Sequence, residues 1–388
     1  MRQCSMAEHD VDQLHDEGAL WHGRGQLARA IACYRAALTW NPTALETRSN
    51  LAHALLEMGQ QHAAWQSLED APSRQRQHPT LLATAGALHC ALGRHEAAVD
   101  ILDPLTRSGR VDEMPWVNLA TSQRELGAEA AALASLREAC DINADNARAQ
   151  ADLAGLLLSL GRSTESLAVA DAFLEHHPED RQLLAVAALA LHELDRHDES
   201  REICDLDSMV EIVDRDELDL PPGLLQELAN HLGAEPSLLS SPLSKATRGG
   251  RQTGELDPAS HPGLLAIESW VKSLLPTELH SWRWWATLLE AGGRQLPHIH
   301  PRSSWSGVFY VALPEALQQL DPSSGALEFG RPPSHLRLRS NPPTRVVAPM
   351  PGRLVIFPSH LWHRTLDFSA AGRRISVAFD AVDQDSGV

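Results

Sequence analysis

Residue types able to do chemistry gather in one stretch, Gln295 to Val311, which reads QLPHIHPRSSWSGVFYV. His298 and His300 stand at alternate positions just before a β-rich run, Val308-Phe309-Tyr310-Val311. Residues i and i+2 of a strand point to one face, so two imidazoles could converge on a single point, as a metal ion requires. A third histidine, His363, follows a second β-rich run in LVIFPSHLWH, and beyond it RRISVAFD carries Arg374 and Ser376 on one face of a predicted strand. Imidazole suits Fe(II), and ligands drawn from facing strands leave coordination positions open for other molecules. A guanidinium fork matches the two oxygens of a carboxylate, so Arg374 with the Ser376 hydroxyl could clamp one. His360 lies three residues before His363, a spacing that puts the two on opposite faces and keeps His360 out of the site. Arg373, adjacent to Arg374, points outward by the same alternation.

These residues need strands to position them. From Trp282 onward the pattern is β, with candidate strands WRWWATLLEA, SGVFYVALP, GALEFG, TRVVAP, GRLVIFP and RRISVAFDAV separated by Gly and Pro. Several short strands with turn signals between them predict a sandwich or barrel of jelly-roll type. Trp282, Trp284, Trp285, Trp305 and Trp362 are expected in its core and at its mouth.

The N-terminal half is built differently. Glycine recurs at Gly25, Gly59, Gly93, Gly127 and Gly161, each step 34 residues, and the next step lands on Asp195. Five positions after each marker stands a small residue: Ala30, Ala64, Ala98, Ala132, Ser166 and Ser200. Nine positions after it come Tyr34, Leu68, Leu102, Leu136, Ala170 and Cys204. The pattern predicts two helices per unit. The glycine turns the chain tightly, the small residue lets the second helix approach the first, and the residue after it fills the gap between units. A 34-residue period of this kind resembles the tetratricopeptide repeat family, with Gly25, Ala30, Tyr34, Ala37 and Pro42 of the first unit in the family's phase. The second unit is stretched after Ala71, and the sixth lacks the glycine, as a terminal capping repeat can. Such arrays form a groove for a protein or peptide, and Asn50, Asn118 and Asp152 are polar candidates for lining it.

The domain reading is therefore helical repeats over 11–210, about six units; an acidic, Pro-containing linker and helical lead-in over 211–282; and a jelly-roll core over 283–382. Pro221-Pro222-Gly223 breaks the chain before GLLQELANHL, a short predicted helix. Residues 236–262, rich in Ser, Gly and Pro, are expected as loop, and HPGLLAIESWVKSLL as a helix.

Composition bounds the function. Residues 245–388 hold 15 basic and 12 acidic side chains, against 18 and 39 in the remainder. An acidic half of that kind is a poor partner for nucleic acid, whose phosphates need Lys and Arg. No apolar run reaches the roughly 18 residues of a membrane span. The polar N-terminus has no signal-peptide core, so a cytoplasmic protein is expected. Cys4, Cys33, Cys90, Cys140 and Cys204 are scattered without a CxxC, which argues against a Cys-based zinc site and a disulfide framework.

The segments HIHPRSSWSGVFYV, GALEFGRP, GRLVIFPSHLWH and RRISVAFD, with the lead-in KATRGGRQTGEL, resemble the Fe(II)/2-oxoglutarate oxygenases related to prolyl hydroxylases, over about residues 215–382. The resemblance implies an α+β multidomain protein, an all-α repeat solenoid followed by a double-stranded β-helix. It implies His298 as the first iron ligand and His363 as the distal one, with Arg374 and Ser376 holding the far carboxylate of 2-oxoglutarate and Tyr310 bonded to the same group. The cofactor set it implies is Fe(II), 2-oxoglutarate and O2, and the reaction a hydroxylation. The wider superfamily places Asp or Glu where this chain has His300, so His300 either completes a three-histidine site or stands behind it. Two other classes remain open. A cupin-type metalloenzyme would use the His-x-His, but no Glu follows at the short distance cupins need, positions 303–305 being Ser, Ser and Trp. A non-catalytic repeat adaptor would leave His298, His363 and Arg374 without a use.

Overall fold

The computed structural model describes residues 2–383 except 110, 215–220, 241–244, 277–278 and 320. Helices run in pairs from the N-terminus: α1 (Arg2–Gly23), α2 (Leu27–Trp40), α3 (Leu45–Glu57), α4 (Gln61–Glu69), α5 (Pro79–Ala91), α6 (His95–Arg107), α7 (Glu113–Glu125), α8 (Glu129–Ile142), α9 (Ala147–Ser159), α10 (Ser163–Leu174), α11 (Arg181–Glu193) and α12 (His197–Ile203). The five marker glycines have φ between +68° and +78°, and Asp195 takes the same left-handed turn at +59°. Aspartate tolerates that region better than most side chains, so the turn survives the loss of glycine in the sixth unit. Ala30, Ala64, Ala98, Ala132 and Ser166 are each 0% exposed, which is the close helix approach the spacing requires. Leu102 fills the gap to the preceding helix so tightly that a Cβ on Gly86 would meet its side chain at 2.4 Å. The stretch after Ala71 holds a 3₁₀ turn, Ser73–Gln75.

Overpacking this contact has a predictable cost. Ala98→Leu or Ala132→Leu should destabilise the protein by about 1–3 kcal/mol, read from urea unfolding at unchanged m-value. A variant as stable as wild type would mean that these helices do not touch at those positions.

The chain divides into two compact units, residues 1–156 and 157–388. The second unit continues past α12 with α13 (Leu206–Met209), β1 (Glu211–Val213), α14 (Leu224–Gly233), β2 (Leu239–Ser240), β3 (Thr247–Gln252), α15 (Pro262–Leu274), β4 (Leu279–His298), β5 (Trp305–Ala312), β6 (Leu327–Phe329), β7 (Arg345–Val347), β8 (Leu354–Pro358), β9 (His363–Thr365) and β10 (Arg374–Asp383). The strands form one curled antiparallel sheet in the order β1-β8-β5-β10-β4-β9-β6-β7, with β3 on β4 and β2 on β3. β4 makes the curl possible. Its early residues pair with β10 and its end, Gln295–His298, pairs with β9. The result is a half-barrel of jelly-roll type.

Alternation on β10 sorts the two faces. Ile375, Val377, Phe379 and Ala381 pack outward with Leu264, Ile267 and Val271 of α15 and Leu228 and Leu232 of α14. Arg374, Ser376, Ala378 and Asp380 take the opposite face. Both helices form where the apolar spacing predicts them.

Three sequence expectations need correction. Residues 236–262 are not all loop, because TRGGRQ forms β3 against β4. That strand has no apolar alternation. It depends on backbone approach, since a Cβ on Gly250 would lie 2.7 Å from the Leu288 carbonyl oxygen. The strand expected at 282–291 runs on to His298, because Gly292 and Gly293 bend it without ending it. Glu211–Val213, inside the stretch read as linker, pairs with β8. The acidic residues 215–220 and the loop residues 241–244 lie outside the described residues. Among the described residues no helix is long and apolar enough to cross a membrane, and Cys33, Cys90, Cys140 and Cys204 are free.

Candidate metal and carboxylate site

The register between β4 and β9 brings the first pair of histidines together. His298 is the direct cross-strand partner of His363, while Gln295 partners Thr365. Three steps along β4 thus match two along β9, a bulge that turns Gln295 and His298 to the same side. The Thr365 hydroxyl donates to the Gln295 side-chain oxygen at 2.8 Å, which pins the bulge. His300 follows in the turn after β4, and its backbone N–H donates to the Ser359 carbonyl at 3.0 Å. The three ring centroids lie 4.3 Å (His298–His363), 5.1 Å (His298–His300) and 5.1 Å (His300–His363) apart. Their candidate ligand atoms all fall within 4.8 Å of one another.

The far nitrogen of each ring is already engaged. Nδ1 of His298 bonds the Leu296 carbonyl at 2.8 Å, and Nδ1 of His363 bonds the Leu361 carbonyl at 2.9 Å. Nδ1 of His300 bonds Asp380 Oδ1 at 2.6 Å. A carbonyl or carboxylate accepts only from a protonated nitrogen, so Nδ1 carries the proton, and in the neutral rings of His298 and His363 Nε2 keeps its lone pair for a metal. Burial, joined by the neighbouring His300, lowers the His298 pKa to about 3, and burial with His298 and His300 nearby drives that of His363 well below its usual value. Both are neutral at physiological pH, the form that binds metal. Asp380 feels opposing effects. Burial raises its pKa, but His300 and the hydroxyls of Ser306 and Ser303 outweigh this and hold it below the ordinary carboxylate range.

On the same inward face lies the guanidinium. Arg374 is 1% exposed; its Nε donates to the Gly325 carbonyl at 3.0 Å and its Nη1 to Ser376 Oγ at 3.3 Å. Its guanidinium carbon sits 4.8 Å from the Tyr310 ring centroid. Among the described residues no carboxylate forms an ion pair with it, an unusual state for a buried cation. Among the described residues the buried Thr287 hydroxyl has no hydrogen-bond partner, and the buried Tyr310 hydroxyl lies against the Arg374 guanidinium. Both residues stand opposite Ser376, Thr287 on β4 and Tyr310 on β5. A buried cation with these two hydroxyls beside it is a donor set suited to an anionic acceptor, which fits a buried carboxylate of a cosubstrate.

His298, His300, His363, Arg374, Ser376 and Tyr310 are therefore assembled on one side of the sheet. Arg373 is exposed, as alternation requires. His360 is kept away: its Nε2 donates to the Ile203 carbonyl at 2.8 Å, and with Trp362, Leu189, His192 and Arg345 it lines a separate cavity of about 420 Å³. Trp284 is buried in the core with Trp282 and Trp305 packed around it, and Trp285 lies 5.6 Å from the His300 ring. Sequence reasoning missed Thr287 and Asp380. The signal for Asp380 was present, since the period of two through Arg374, Ser376 and Ala378 reaches it next. Thr287 had none, because only the β4–β10 register places it opposite Ser376.

His360 gives a pH dependence outside the triad. Burial lowers its pKa, opposed by the Ile203 carbonyl that its neutral N–H serves. A histidine depressed in the folded state takes up protons more readily when unfolded, so its contribution is full above the unfolded value near 6.5 and is lost as pH falls below it. The stability lost between pH 7 and pH 5 should be smaller in His360→Asn than in wild type, measured by thermal unfolding. An equal loss in both proteins would show that His360 titrates alike in the folded and unfolded chain.

Residues 283–380 match the protein family described as "Putative 2OG-Fe(II) oxygenase". No curated protein matches the chain. Among solved structures, a Pseudomonas putida prolyl-4-hydroxylase is similar at 19% identity, covering 46% of this chain and 96% of that one, with a TM-score of 0.36. The thermophilic TPR protein TTC0263 of Thermus thermophilus is similar at 24% identity, covering 47% and 99%, with a TM-score of 0.42. The pilF protein of Pseudomonas aeruginosa is similar at 16% identity, covering 51% and 90%, with a TM-score of 0.44. The part of the curled sheet that holds the histidines thus matches the 2OG-Fe(II) oxygenase family model, and helical repeats of 34 residues precede it in this chain.

Proposed function

We propose that this protein is an Fe(II)- and 2-oxoglutarate-dependent hydroxylase whose repeats recruit a protein or peptide substrate. The observation that carries the reading is the pairing of two features on one inward face. Three imidazoles present free Nε2 atoms to one point, and a buried guanidinium lies on the same face without a carboxylate partner among the described residues. His298, His300 and His363 would hold the iron. Arg374, with Ser376, Tyr310 and Thr287, would hold the far carboxylate of 2-oxoglutarate. When bound, Fe(II) with 2-oxoglutarate and O2 would supply oxidative decarboxylation to succinate and CO2, one oxygen atom of O2 entering succinate and the other converting a substrate C–H to C–OH.

The chain's own contribution is orientation and exclusion of water. Each Nδ1 hydrogen bond fixes the plane of its ring before any ion arrives. Arg374 gives a bidentate cosubstrate carboxylate one preferred direction. Phe357, 4.7 Å from His363, and Phe329, 6.2 Å from it, form an apolar wall on the buried side of the His363 ring.

A peptide-binding role for the repeats is supported by a polar stripe. Asn50, Thr84, Asn118 and Asp152 recur every 34 residues at one position in the first helix of four units. Thr84 is buried and bonded to Ser49 and Thr80, whereas Asn50, Asn118 and Asp152, the last paired with Arg148 at 3.7 Å, are half-buried and offer amide and charged groups.

The test is succinate release from 2-oxoglutarate by the purified protein with Fe(II), O2 and ascorbate. Slow turnover is expected without added substrate, and faster turnover with a peptide that the repeats bind. Iron-loaded protein that neither binds 2-oxoglutarate in calorimetry nor forms succinate would return the reading to the cupin or adaptor class.

A further inference from the structure

The triad contains no carboxylate, whereas the common facial set for non-haem Fe(II) is two histidines and one carboxylate. Three neutral imidazoles leave the full charge of a divalent ion to be stabilised in a partly buried site, which is costly. A carboxylate does stand behind one of them. Asp380 is 8% exposed and lies on β10, on the same inward face as Arg374. Its Oδ1 accepts from His300 Nδ1 at 2.6 Å and from the Ser306 hydroxyl at 2.7 Å. With its proton committed to Asp380, the Ser306 oxygen accepts in turn from Ser359 Oγ at 2.7 Å. The three rings are thus not equivalent, because His298 and His363 lean on neutral backbone carbonyls and His300 leans on an anion.

We propose that Asp380 is a positioning residue acting through His300, supplying from behind the ring the negative charge that a directly ligating carboxylate would supply. The inference rests on the reading of the triad as a metal site. A carboxylate on the far nitrogen makes an imidazole a stronger donor and fixes its tautomer and plane. It also makes His300 a full ligand, since an imidazole oriented and polarised in this way is poorly described as a bystander. Arg374 and Asp380, opposite in sign on one strand face, would then divide the work, the cation receiving the cosubstrate's far carboxylate and the anion balancing the metal.

The test uses the full chain with Mn(II) and Co(II) as probes, titrated by calorimetry, and the visible spectrum of the Co(II) form. Asp380→Asn keeps an acceptor for the His300 N–H and removes the charge. It should weaken metal binding by about 10- to 100-fold, the usual effect of losing such a partner, and shift the Co(II) bands. Ser306→Ala leaves the His300–Asp380 bond and should stay within about threefold of wild type. Asp380→Glu keeps the charge and should recover most of the affinity lost in the Asn variant; it also carries the comparison if Asp380→Asn does not fold. In a His300→Ala background, Asp380→Asn should have no further effect on metal affinity, because the route through the ring is gone. Wild-type affinity and an unchanged Co(II) spectrum in Asp380→Asn would overturn the proposal and leave the triad reading intact. A wild-type protein that takes up neither ion would overturn both.

Discussion

Arg374→Met should abolish tight binding of 2-oxoglutarate while leaving Fe(II) binding nearly intact. Removing one partner of a buried, hydrogen-bonded charge pair costs about 2–5 kcal/mol, so the apparent constant for 2-oxoglutarate should rise at least about 30-fold. Arg374→Ala should show the same loss of cosubstrate, and Arg374→Lys a smaller one, since an ammonium keeps the charge but not the two-pronged geometry. Methionine adds a control that alanine cannot. The guanidinium is 1% exposed, and the partners it has among the described residues, Gly325 and Ser376, are neutral. Replacing an uncompensated buried ion by an apolar side chain of similar volume is often neutral or stabilising. Arg374→Met should therefore be at least as stable as wild type without 2-oxoglutarate and lose the extra stability that the cosubstrate confers. Calorimetric titration and thermal unfolding with and without 2-oxoglutarate read both effects. If the variant unfolds easily and binds 2-oxoglutarate normally, Arg374 is a structural residue and the cosubstrate assignment is wrong.

His298→Ala and His363→Ala should each eliminate stoichiometric Fe(II) binding. The two residues are cross-strand partners, and each contributes one Nε2 from opposite strands of the curl. Loss of His363 leaves ligands from the β4 side only, and loss of His298 removes the direct cross-strand partner of His363. Burial holds both rings in the neutral form with their one proton on Nδ1, so metal uptake at Nε2 displaces no proton and should be nearly independent of pH above about 6. His300→Ala should weaken binding less than either of these, and His360→Ala should leave it unchanged, because the His360 ring faces the Ile203 carbonyl and not the triad. Metal analysis of anaerobically loaded protein distinguishes the four variants. One equivalent of iron retained in a His298→Ala/His363→Ala double variant would show that the ion sits elsewhere.

Features that depend on local spacing are readable along the chain. The 34-residue period is a property of neighbouring helices, where a turn, a small contact residue and a gap-filling residue recur within one unit, so the helix pairs could be read directly. The second helix of each unit packs where its small residue falls, and Asp195 kept the left-handed turn that the period asks of it. The two faces of β10 were equally legible, because alternation alone separates Arg374 and Ser376 from Ile375 and Val377. The same rule set His360 and Arg373 aside. His298, His300 and His363 could be nominated from residue type and position relative to β-rich runs.

How these residues meet is set by long-range strand pairing. The β4–β9 register, offset by a bulge, makes His298 and His363 direct partners although they are far apart along the chain. A one-residue slip would have sent one ring to the other face, and no local signal in QLPHIH states which register holds. β3 was hidden for a related reason: its stability comes from backbone hydrogen bonds and from glycines that let two chains approach, and neither leaves an apolar pattern. The partner of His300 was the least legible feature. Asp380 lies 80 residues from His300 in sequence, and only the pairing of β10 with β5, which sets Asp380 opposite Ser306, brings the carboxylate behind the ring. Long-range register, and not residue type, turns three nominated histidines into a site with a charged and an uncharged side.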